Sequence, residues 1–379
     1  MEKNTSTKQG DGAVMPKEEV EQQQYYDMVV FCHLRWQFVY QRPQHIISRF
    51  SKSMKILMVE EPVGFNNEDE ATAIFTEVNP NLHILQPKVR DIEAIAEVLK
   101  DYVKNGSIPV GWFYSAAFSP LLSALKFDTV VYDCMDELAL FKDAPQLIID
   151  QEKYLLSNAD IVFTGGKSLF ESKREMHDNV YCFPSSVDEA HFATALNGIE
   201  IPADISNLPK PVVGYFGVID ERIDLEMIAE TARKMPEVSF VMIGPLAKIS
   251  QHDLPKEANI HYTGMKSYVE LPNYLKGFDI AMMPFALNDA TKFISPTKTL
   301  EYMAAGKAII STRITDVLRD YSECVKFADD ADEFSKHISN LLATQDQLST
   351  ISQYREILDN TSWDATVAKM QSIIKTFAS

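Results

Sequence analysis

The chain has 379 residues, of which 46% are hydrophobic and 24% charged, and its formal net charge at pH 7 is −18. This length exceeds what one ordinary hydrophobic core occupies, so the composition predicts a globular protein of two domains. No block of lysine or arginine stands out, and the strong negative charge argues against nucleic acid as a partner.

Cysteine usage and apolar runs indicate the compartment. Cys32, Cys134, Cys182 and Cys324 are far apart and lie mostly in apolar, strand-like runs. We interpret them as buried thiols in a reducing compartment, not as a zinc site or a disulfide framework. No apolar run approaches the roughly 18 residues that a membrane span needs, and a signal-peptide core is missing, so we expect a cytoplasmic protein. Residues 1–24 are almost wholly polar and are predicted to be a disordered lead-in.

The first half of the chain alternates short apolar runs with helical spacing. The runs at 27–32 and 55–60 are nearly continuous, which is typical of strands covered on both faces. Similar runs follow at 82–85, 109–114, 129–133, 160–164 and 180–184. This alternation predicts a mainly parallel α/β sheet with helices on both faces, in an N-terminal Rossmann-like domain over residues 25–205.

The second half restarts the same pattern after a proline-bearing connector at 202–211. Five strands are predicted, at 211–217, 238–244, 259–264, 278–285 and 308–312. They define a second doubly wound domain over residues 206–360, in which ligands would lie at the carboxyl ends of the strands. Residues 361–379 open with the cap residue Ser362 and predict a final amphipathic helix.

The best-specified helix of the second half runs from Ser295 to Gly306. We predict that Ser295 caps it, that Pro296 lies in its first turn and that Gly306 ends it in the left-handed conformation. Its first turn and Lys298 would offer positive charge to a phosphate, and Glu301 could accept hydrogen bonds from two sugar hydroxyls. A nucleotide could therefore lie along this helix. The alternative is a capped helix with a solvated lysine–glutamate pair, worth a few tenths of a kcal/mol.

With two doubly wound domains and these loops, the chain resembles a GT-B glycosyltransferase, in particular the family-4-like group of bacterial polysaccharide and glycolipid enzymes. The resemblance spans residues 27–379. It rests on the segments 41–45, 132–137, 183–188 with Phe192, 214–217 and, most specifically, 295–306. It implies two Rossmann-like domains facing across a cleft, with a C-terminal helix that crosses back to the N-terminal domain.

The resemblance also implies a donor site for a nucleoside-diphosphate sugar, with UDP as the preferred nucleotide. In related enzymes a proline-led helix bearing a lysine and a glutamate grips the donor nucleotide. The predicted donor-binding residues are Gly217, Arg222, Gly264, Met265, Ser295, Pro296, Thr297, Lys298 and Glu301. Cations and helix amides would neutralise the departing diphosphate, so neither a metal nor a cofactor is expected. We interpret the acidic stretch at 329–332 as a solvated turn.

Two departures from the family pattern leave the stereochemical outcome open. Many relatives carry a glutamate eight positions before the one that corresponds to Glu301, and this chain has Phe293 there. The usual arginine and lysine after the first strand of the second domain are absent in their common spacing. Arg222 could neutralise phosphate from a shifted position. Retaining and inverting chemistry therefore both stay possible.

Two aspartates after a predicted strand, Asp133 and Asp136, are candidates for the general base. A carboxylate there could take a proton if partial burial raised its pKa. We favour Asp136 as the catalytic residue and assign Asp133 a capping or structural role. His33, Arg42 and His45 are predicted to face the acceptor or the donor phosphate, although a structural hydrogen bond is an equal alternative for His45.

The predicted acceptor is a polysaccharide or a glycolipid. A lipid-linked acceptor would bring peripheral contact with the inner membrane, an expectation that rests on the resemblance alone. Two alternatives stay open, a GT-B-fold sugar-nucleotide epimerase and a catalytically silent subunit that binds a nucleotide or a sugar. Fold does not decide among them. An epimerase would convert the donor without any acceptor.

Overall fold

The computed structural model describes residues 25–65, 70–103, 107–137, 140, 145–344 and 347–377, with side chains omitted at 347–349. The predicted lead-in at residues 1–24 lies outside the described residues. Within them the chain forms two β-sheets, each covered by helices. No helix among these residues is long and apolar enough to cross a membrane.

The first half forms an eight-stranded sheet among the described residues, in the order β3-β4-β2-β1-β5-β6-β7-β8. The strands are β1 (Met28–Cys32), β2 (Ile56–Glu60), β3 (Thr72–Asn79), β4 (Leu82–Lys88), β5 (Ser107–Phe113), β6 (Lys126–Cys134), β7 (Ile161–Thr164) and β8 (Val180–Cys182). The helices are α1 (Arg42–Phe50), α2 (Ile95–Leu99), α3 (Leu121–Ala124), α4 (Gln146–Asn158) and α5 (Lys167–Lys173). All neighbouring strands pair in parallel except β3, which is antiparallel to β4.

The edge strand β3 was not predicted. None of its residues is fully buried, and Thr72, Glu77 and Val78 are exposed to solvent. It therefore lacks the apolar run that identifies its neighbours. β1 and β2, in contrast, are buried at every position, as expected of strands covered on both faces.

The second half forms a parallel sheet with the order β11-β10-β9-β12-β13-β14 among the described residues. Its strands are β9 (Val212–Phe216), β10 (Ser239–Ile243), β11 (Ile260–Gly264), β12 (Ile280–Met283), β13 (Ala308–Ser311) and β14 (Val325–Phe327). The helices from here on are α6 (Glu189–Phe192), α7 (Ala203–Ser206), α8 (Leu225–Lys234), α9 (Leu271–Gly277), α10 (Lys298–Ala304), α11 (Thr315–Tyr321), α12 (Ala331–Ala343), α13 (Gln347–Asp359) and α14 (Trp363–Phe377). The first five strands match the predicted ones, and β14 was too short to be predicted.

The C-terminal helix α14 packs on the first half of the chain, as the resemblance implies. The ring of Trp363 stacks on that of His45 in α1, with 4.8 Å between centroids. Val367, Met370 and Ile374 join the core beneath the first sheet. Two doubly wound units joined by a returning helix confirm the predicted fold class.

The predicted domain boundary between residues 205 and 206 stays a prediction. Packing on the second sheet begins earlier along the chain, because Val187, Phe192 and Ile205 belong to the hydrophobic core of that sheet. At the other end, Leu358 packs in the second core and Trp363 in the first. The chain therefore changes core close to residue 361, where the last segment was predicted to begin.

Candidate functional site

A cleft lies between the two halves, at the carboxyl ends of β6 and β9, and encloses about 140 Å³. The first half lines it with Val39, Tyr40, Gln41, Arg42, Met135, Asp136, Gly165 and Ser185. The second half adds residues 215–218, Arg222, Leu271, Phe285, residues 294–298 and Glu301. Of the predicted site residues, the cleft brings together Asp136, Arg42, Gly217, Arg222, Ser295, Pro296, Thr297, Lys298 and Glu301.

Helix α10, which corresponds to the predicted helix at 295–306, has its N-cap two residues later than predicted. Thr297 is its N-cap, and the first helical bond joins the amide of Glu301 to the carbonyl of Thr297 at 3.1 Å. The prediction that Ser295 caps the helix was wrong, because its carbonyl instead accepts a hydrogen bond from the Ser185 hydroxyl across the cleft, at 2.5 Å. Gly306 ends the helix as predicted, with φ +64.

Lys298 lies against the backbone of the glycine turn that follows β9. Its ammonium nitrogen is 5.6 Å from the centre of the Tyr215 ring, within the range of a cation–π contact. Gly217 adopts φ +141, and a Cβ atom there would come within 2.3 Å of the Lys298 Cε atom. Burial lowers the pKa of Lys298, and it makes no salt bridge among the residues that the structure describes. Because residue 217 is a glycine and has no side chain, the Lys298 ammonium can reach the carboxyl end of β9.

Arg222 supplies a second cation and is held in place by Asp220. The guanidinium Nη2 lies 2.7 Å from one carboxylate oxygen of Asp220, and Nε lies 3.0 and 3.1 Å from the two oxygens. Burial would lower the pKa of Arg222, but the hydrogen bonds and charge of Asp220 outweigh burial and raise it. The guanidinium therefore stays charged, with one carboxylate compensating it directly.

Glu301 is buried on α10, one turn beyond Lys298. Burial raises its pKa to about 7, against the opposing charge of Lys298 and a hydrogen bond from Thr297. This carboxyl group is consequently divided between its two protonation states near neutral pH. It can accept hydrogen bonds from a diol when it is ionised.

Asp136 is half-buried on the opposite wall of the cleft. Burial raises its pKa, Arg222 opposes that effect, and Asp220 adds to it. A carboxyl with a raised pKa, open to a cleft, has the chemistry of a general base.

The segment that carries Asp136 is tied down by the next residue. The Glu137 carboxylate lies 2.8 Å from the Lys173 ammonium, and Glu152 lies at the same distance on its other side. Lys173 is only 2% exposed, so this network is fixed in the core beneath the loop. Sequence analysis missed it, because the three residues come from separate elements.

Arg42 lines the cleft, but its guanidinium binds groups within the first half of the chain. Nη2 lies 2.9 Å from the Asp133 carboxylate, and Nη1 donates to the carbonyl of Phe183 at 2.8 Å. Both partners of the ion pair are buried, with side-chain exposures of 6% and 0%. Asp133 therefore has the structural role expected of it, and most of Arg42's donors are used within the first half.

The two predicted histidines do not line the cleft. His45 is buried between the rings of Trp363 and Tyr40, and burial lowers its pKa to about 3. Burial likewise lowers the pKa of His33 to about 4. Both imidazoles are therefore neutral at pH 7, and packing against α14 accounts for the position of His45.

Gly264 and Met265 also lie outside the cleft lining. Gly264 ends β11 and Met265 follows it; β11 is the edge strand of the sheet and is separated from β9 by β10. Met265 is 45% exposed, and Gly264 adopts φ +72 with open space around it. Their predicted role in donor binding stays a prediction.

A stack of aromatic rings crosses between the halves beside the cleft, and sequence analysis did not find it. The rings of Tyr40 and Tyr268 are stacked 4.4 Å apart, and His191 stacks on the other face of Tyr268 at 4.3 Å. No local spacing pattern links these three residues, because they come from separate segments of the chain. Among the described residues, no group of three or more histidine, cysteine, aspartate or glutamate side chains is placed to hold a metal ion.

Comparisons with known proteins agree with this architecture. Residues 210–344 match the family described as glycosyl transferases group 1. TuaH of Bacillus subtilis (strain 168), named as a teichuronic acid biosynthesis glycosyltransferase, is 28% identical over 228 residues, which are 55% of this chain and 57% of TuaH. The chain thus spans little more than half the length of this curated relative.

Solved structures with the same fold cover nearly the whole chain. Sucrose-phosphate synthase from Thermosynechococcus elongatus superposes with a TM-score of 0.69 and 16% identity, over 93% of this chain and 98% of its own. A UDP-forming α,α-trehalose-phosphate synthase from Burkholderia vietnamiensis gives 0.68 and 11%, over 94% and 97%. Two Rossmann-like units facing across a cleft thus define a GT-B protein. Within that fold, the second half of the chain is similar to glycosyl transferases group 1, over residues 210–344.

Proposed function

We propose that this chain is a metal-independent glycosyltransferase that moves a sugar from a nucleoside diphosphate, with UDP as the preferred carrier, to a polysaccharide or glycolipid acceptor. One observation carries the proposal: Lys298, Arg222 and Glu301 converge at the carboxyl end of β9 and share a cleft with Asp136. Two cations and two carboxyls with raised pKa values form a set that suits transfer from a diphosphate.

The cationic side of the cleft would bind the donor. Lys298 and Arg222 would contact the diphosphate, because both cations can donate charge-assisted hydrogen bonds to phosphate oxygens. Glu301, one helical turn away, would accept hydrogen bonds from the ribose hydroxyls. The UDP-forming relative in the same fold supports UDP over the other nucleotides.

The transfer step would use both walls. The acceptor hydroxyl oxygen forms a bond to the anomeric carbon while the bond from that carbon to the diphosphate oxygen breaks. Asp136 takes the hydroxyl proton, and the electron pair leaves with the nucleoside diphosphate. Lys298 and Arg222 offset the charge that develops on the leaving oxygens, which lowers the barrier to bond cleavage.

Substrate entry would require the two halves to separate. The cleft encloses about 140 Å³, whereas ligand pockets usually measure about 300–1,000 Å³. Contacts such as Ser185 with Ser295 and Tyr40 with Tyr268 join the two walls as they stand. Opening and closing over the donor would also exclude water and limit hydrolysis.

The proposal of a glycan acceptor is supported by the similarity to TuaH alone. TuaH is named for teichuronic acid biosynthesis, which is the assembly of a polysaccharide. A glycan acceptor follows for this chain if the two proteins share their chemistry as well as their family.

Isothermal titration of UDP, GDP and ADP in the presence of EDTA tests the donor site. We expect one nucleotide to bind without metal, and Lys298→Ala and Glu301→Ala each to weaken it by about 1–3 kcal/mol, the cost of lost charge-assisted hydrogen bonds. Lys336→Ala, which removes an exposed lysine on α12, is the matched control and should leave affinity unchanged.

Incubation with the UDP-sugar alone then separates the alternatives. Slow release of UDP supports a transferase, conversion to a second UDP-sugar identifies an epimerase, and binding without either reaction identifies a silent subunit. If no nucleotide binds, or if both substitutions leave affinity unchanged, the proposed donor site is wrong.

A further inference from the structure

A second, larger cavity lies at the opposite edge of the second sheet from the cleft. It measures about 670 Å³ and is lined by residues that directly precede strands, namely Asp279 before β12, Lys307 before β13 and Cys324 before β14. In a parallel sheet these positions share the amino edge, whereas the cleft lies at the carboxyl edge. The two sites are therefore separated by the length of the strands.

Three lysines line this cavity in a protein whose formal net charge is −18. They are Lys276 on α9, Lys307 after α10 and Lys326 on β14. Among the described residues the lining has one carboxylate, Asp279, and it is already engaged: it lies 3.0 Å from the Lys210 ammonium and accepts a hydrogen bond from the Val212 amide at 2.7 Å. The described part of the cavity wall thus carries an excess of positive charge.

Lys307 is the central member of this group, because it is buried without a carboxylate partner among the described residues. Only 8% of the residue is exposed, and its ammonium donates to the carbonyl of Phe278 at 2.8 Å. Burial lowers its pKa to about 8, Asp279 opposes that effect, and Lys210 and Lys276 add to it. A buried ammonium next to further cations is costly unless a counter-charge is supplied.

We propose that this cavity binds a phosphorylated small molecule, with its phosphate held by Lys307 and Lys276. A phosphate would supply the missing counter-charge to both ammonium groups. The cavity volume falls within the range of small-molecule sites. Gln353 and Tyr354 on α13 also line it and offer polar groups to the rest of the ligand, which favours a sugar phosphate over a bare anion.

Titration of ribose 5-phosphate into the intact protein, with UDP present at saturation for the cleft, tests the site. We expect binding of ribose 5-phosphate, weaker binding of inorganic phosphate and none of ribose. Lys307→Met and Lys276→Met should each weaken binding at least tenfold. Lys307→Arg should retain it, and so should Lys336→Met, in which an exposed lysine is removed.

The pH dependence gives a second readout. Wild-type affinity should fall from pH 7 to pH 9 as Lys307 loses its proton, and Lys307→Arg should show no such fall. Burial raises the pKa of Cys324 to about 11 and also raises that of Tyr354 above its ordinary value, so neither titrates in this window.

Lys298→Ala distinguishes this cavity from the donor cleft. Unchanged ribose 5-phosphate binding in that variant supports a separate site, and its loss would overturn the proposal by placing the phosphate in the cleft. The proposal also fails if ribose 5-phosphate does not bind, or if Lys276→Met, which removes a half-buried side chain and should fold, binds it as well as wild type does.

Discussion

The two walls of the cleft use their charges differently. On the wall from the first half, Arg42 pairs with the buried Asp133, and the loop that carries Asp136 is anchored through Glu137 to Lys173. On the wall from the second half, Lys298 makes no salt bridge among the described residues and packs on a glycine turn. Arg42 on the first wall and Arg222 on the second are each compensated by an aspartate, whereas Lys298 on the second wall has no such partner among the described residues.

This difference indicates a division of labour. A diphosphate binds best to a cation whose charge is not already compensated, and Lys298 on the second wall is such a cation among the described residues. Proton removal needs a carboxylate that is held in place and has a raised pKa. The Asp136 carboxyl on the first wall meets both conditions. Donor binding and proton removal can therefore be disturbed separately by substitutions on one wall or the other.

The largest expected effect is that of Asp136→Asn on the first wall. Loss of the general base should lower the rate of sugar transfer by about 10²–10⁴-fold, with UDP affinity within twofold of wild type. The wild-type rate should fall as pH drops through the raised pKa of Asp136, because the protonated carboxyl cannot accept a proton. Steady-state kinetics across pH measure both effects.

Asp150→Asn, on the exposed face of α4, is the control and should behave as wild type. Should Asp136→Asn keep the full rate and the same pH profile, proton removal on the first wall would have to be assigned elsewhere.

Arg42→Met tests whether the first-wall cation is structural. Removing one partner of a buried pair leaves Asp133 uncompensated, so the free energy of unfolding should fall by about 3–5 kcal/mol. UDP affinity of the folded protein should stay within twofold. Chemical denaturation measures the first quantity and calorimetry the second. Arg90→Met, at a 72% exposed arginine, should change neither. A tenfold loss of UDP affinity without destabilisation would instead support the prediction that Arg42 contacts phosphate.

The fold class could be predicted from the sequence because local residue patterns identify most strands and helices and give their order along the chain. Buried parallel strands such as β1 and β9 are continuous apolar runs, and Gly306 marks a helix end. The half-exposed edge strand β3 lacks such a run. Local pattern therefore failed where a strand is stabilised by one neighbour and not by burial on both faces.

The site was predictable in part, for a related physical reason. Lys298 and Glu301 share helix α10, and Asp136 closely follows strand β6, so local pattern was enough to mark all three, which line the cleft. Their roles toward donor and acceptor stay predictions. Whether Arg42 faces a ligand or Asp133 depends on a partner 91 positions away, which spacing cannot show. The packing of His45 on Trp363 in α14 depends in the same way on a distant contact.

Gly217→Ala tests the second wall through the backbone instead of a charge. The left-handed φ of +141 disfavours a side chain, and the new Cβ would displace Lys298 from a position 2.3 Å away. UDP affinity should therefore fall about tenfold, toward the value for Lys298→Ala, because both changes remove one charge-assisted contact. Gly198→Ala, where the added atom meets nothing within 4 Å, is the matched control. If Gly217→Ala and Gly198→Ala bound UDP with equal affinity, the glycine turn at 217 would not be what positions Lys298.

The smallest expected effect is the pH dependence that Glu301 gives to donor binding. Its pKa is raised to about 7, so at pH 6 the carboxyl is mostly protonated and at pH 8 mostly ionised. Ribose hydroxyls donate more strongly to the ionised form, so UDP affinity should rise a few-fold from pH 6 to pH 8.

The terminal phosphate of UDP also titrates, with a pKa near 6, and contributes a rise of its own. Glu301→Gln retains only the phosphate contribution, so the difference between the two titration curves isolates the carboxyl. Parallel curves would mean that Glu301 does not contact the nucleotide, and the second wall would then bind the donor through its cations alone.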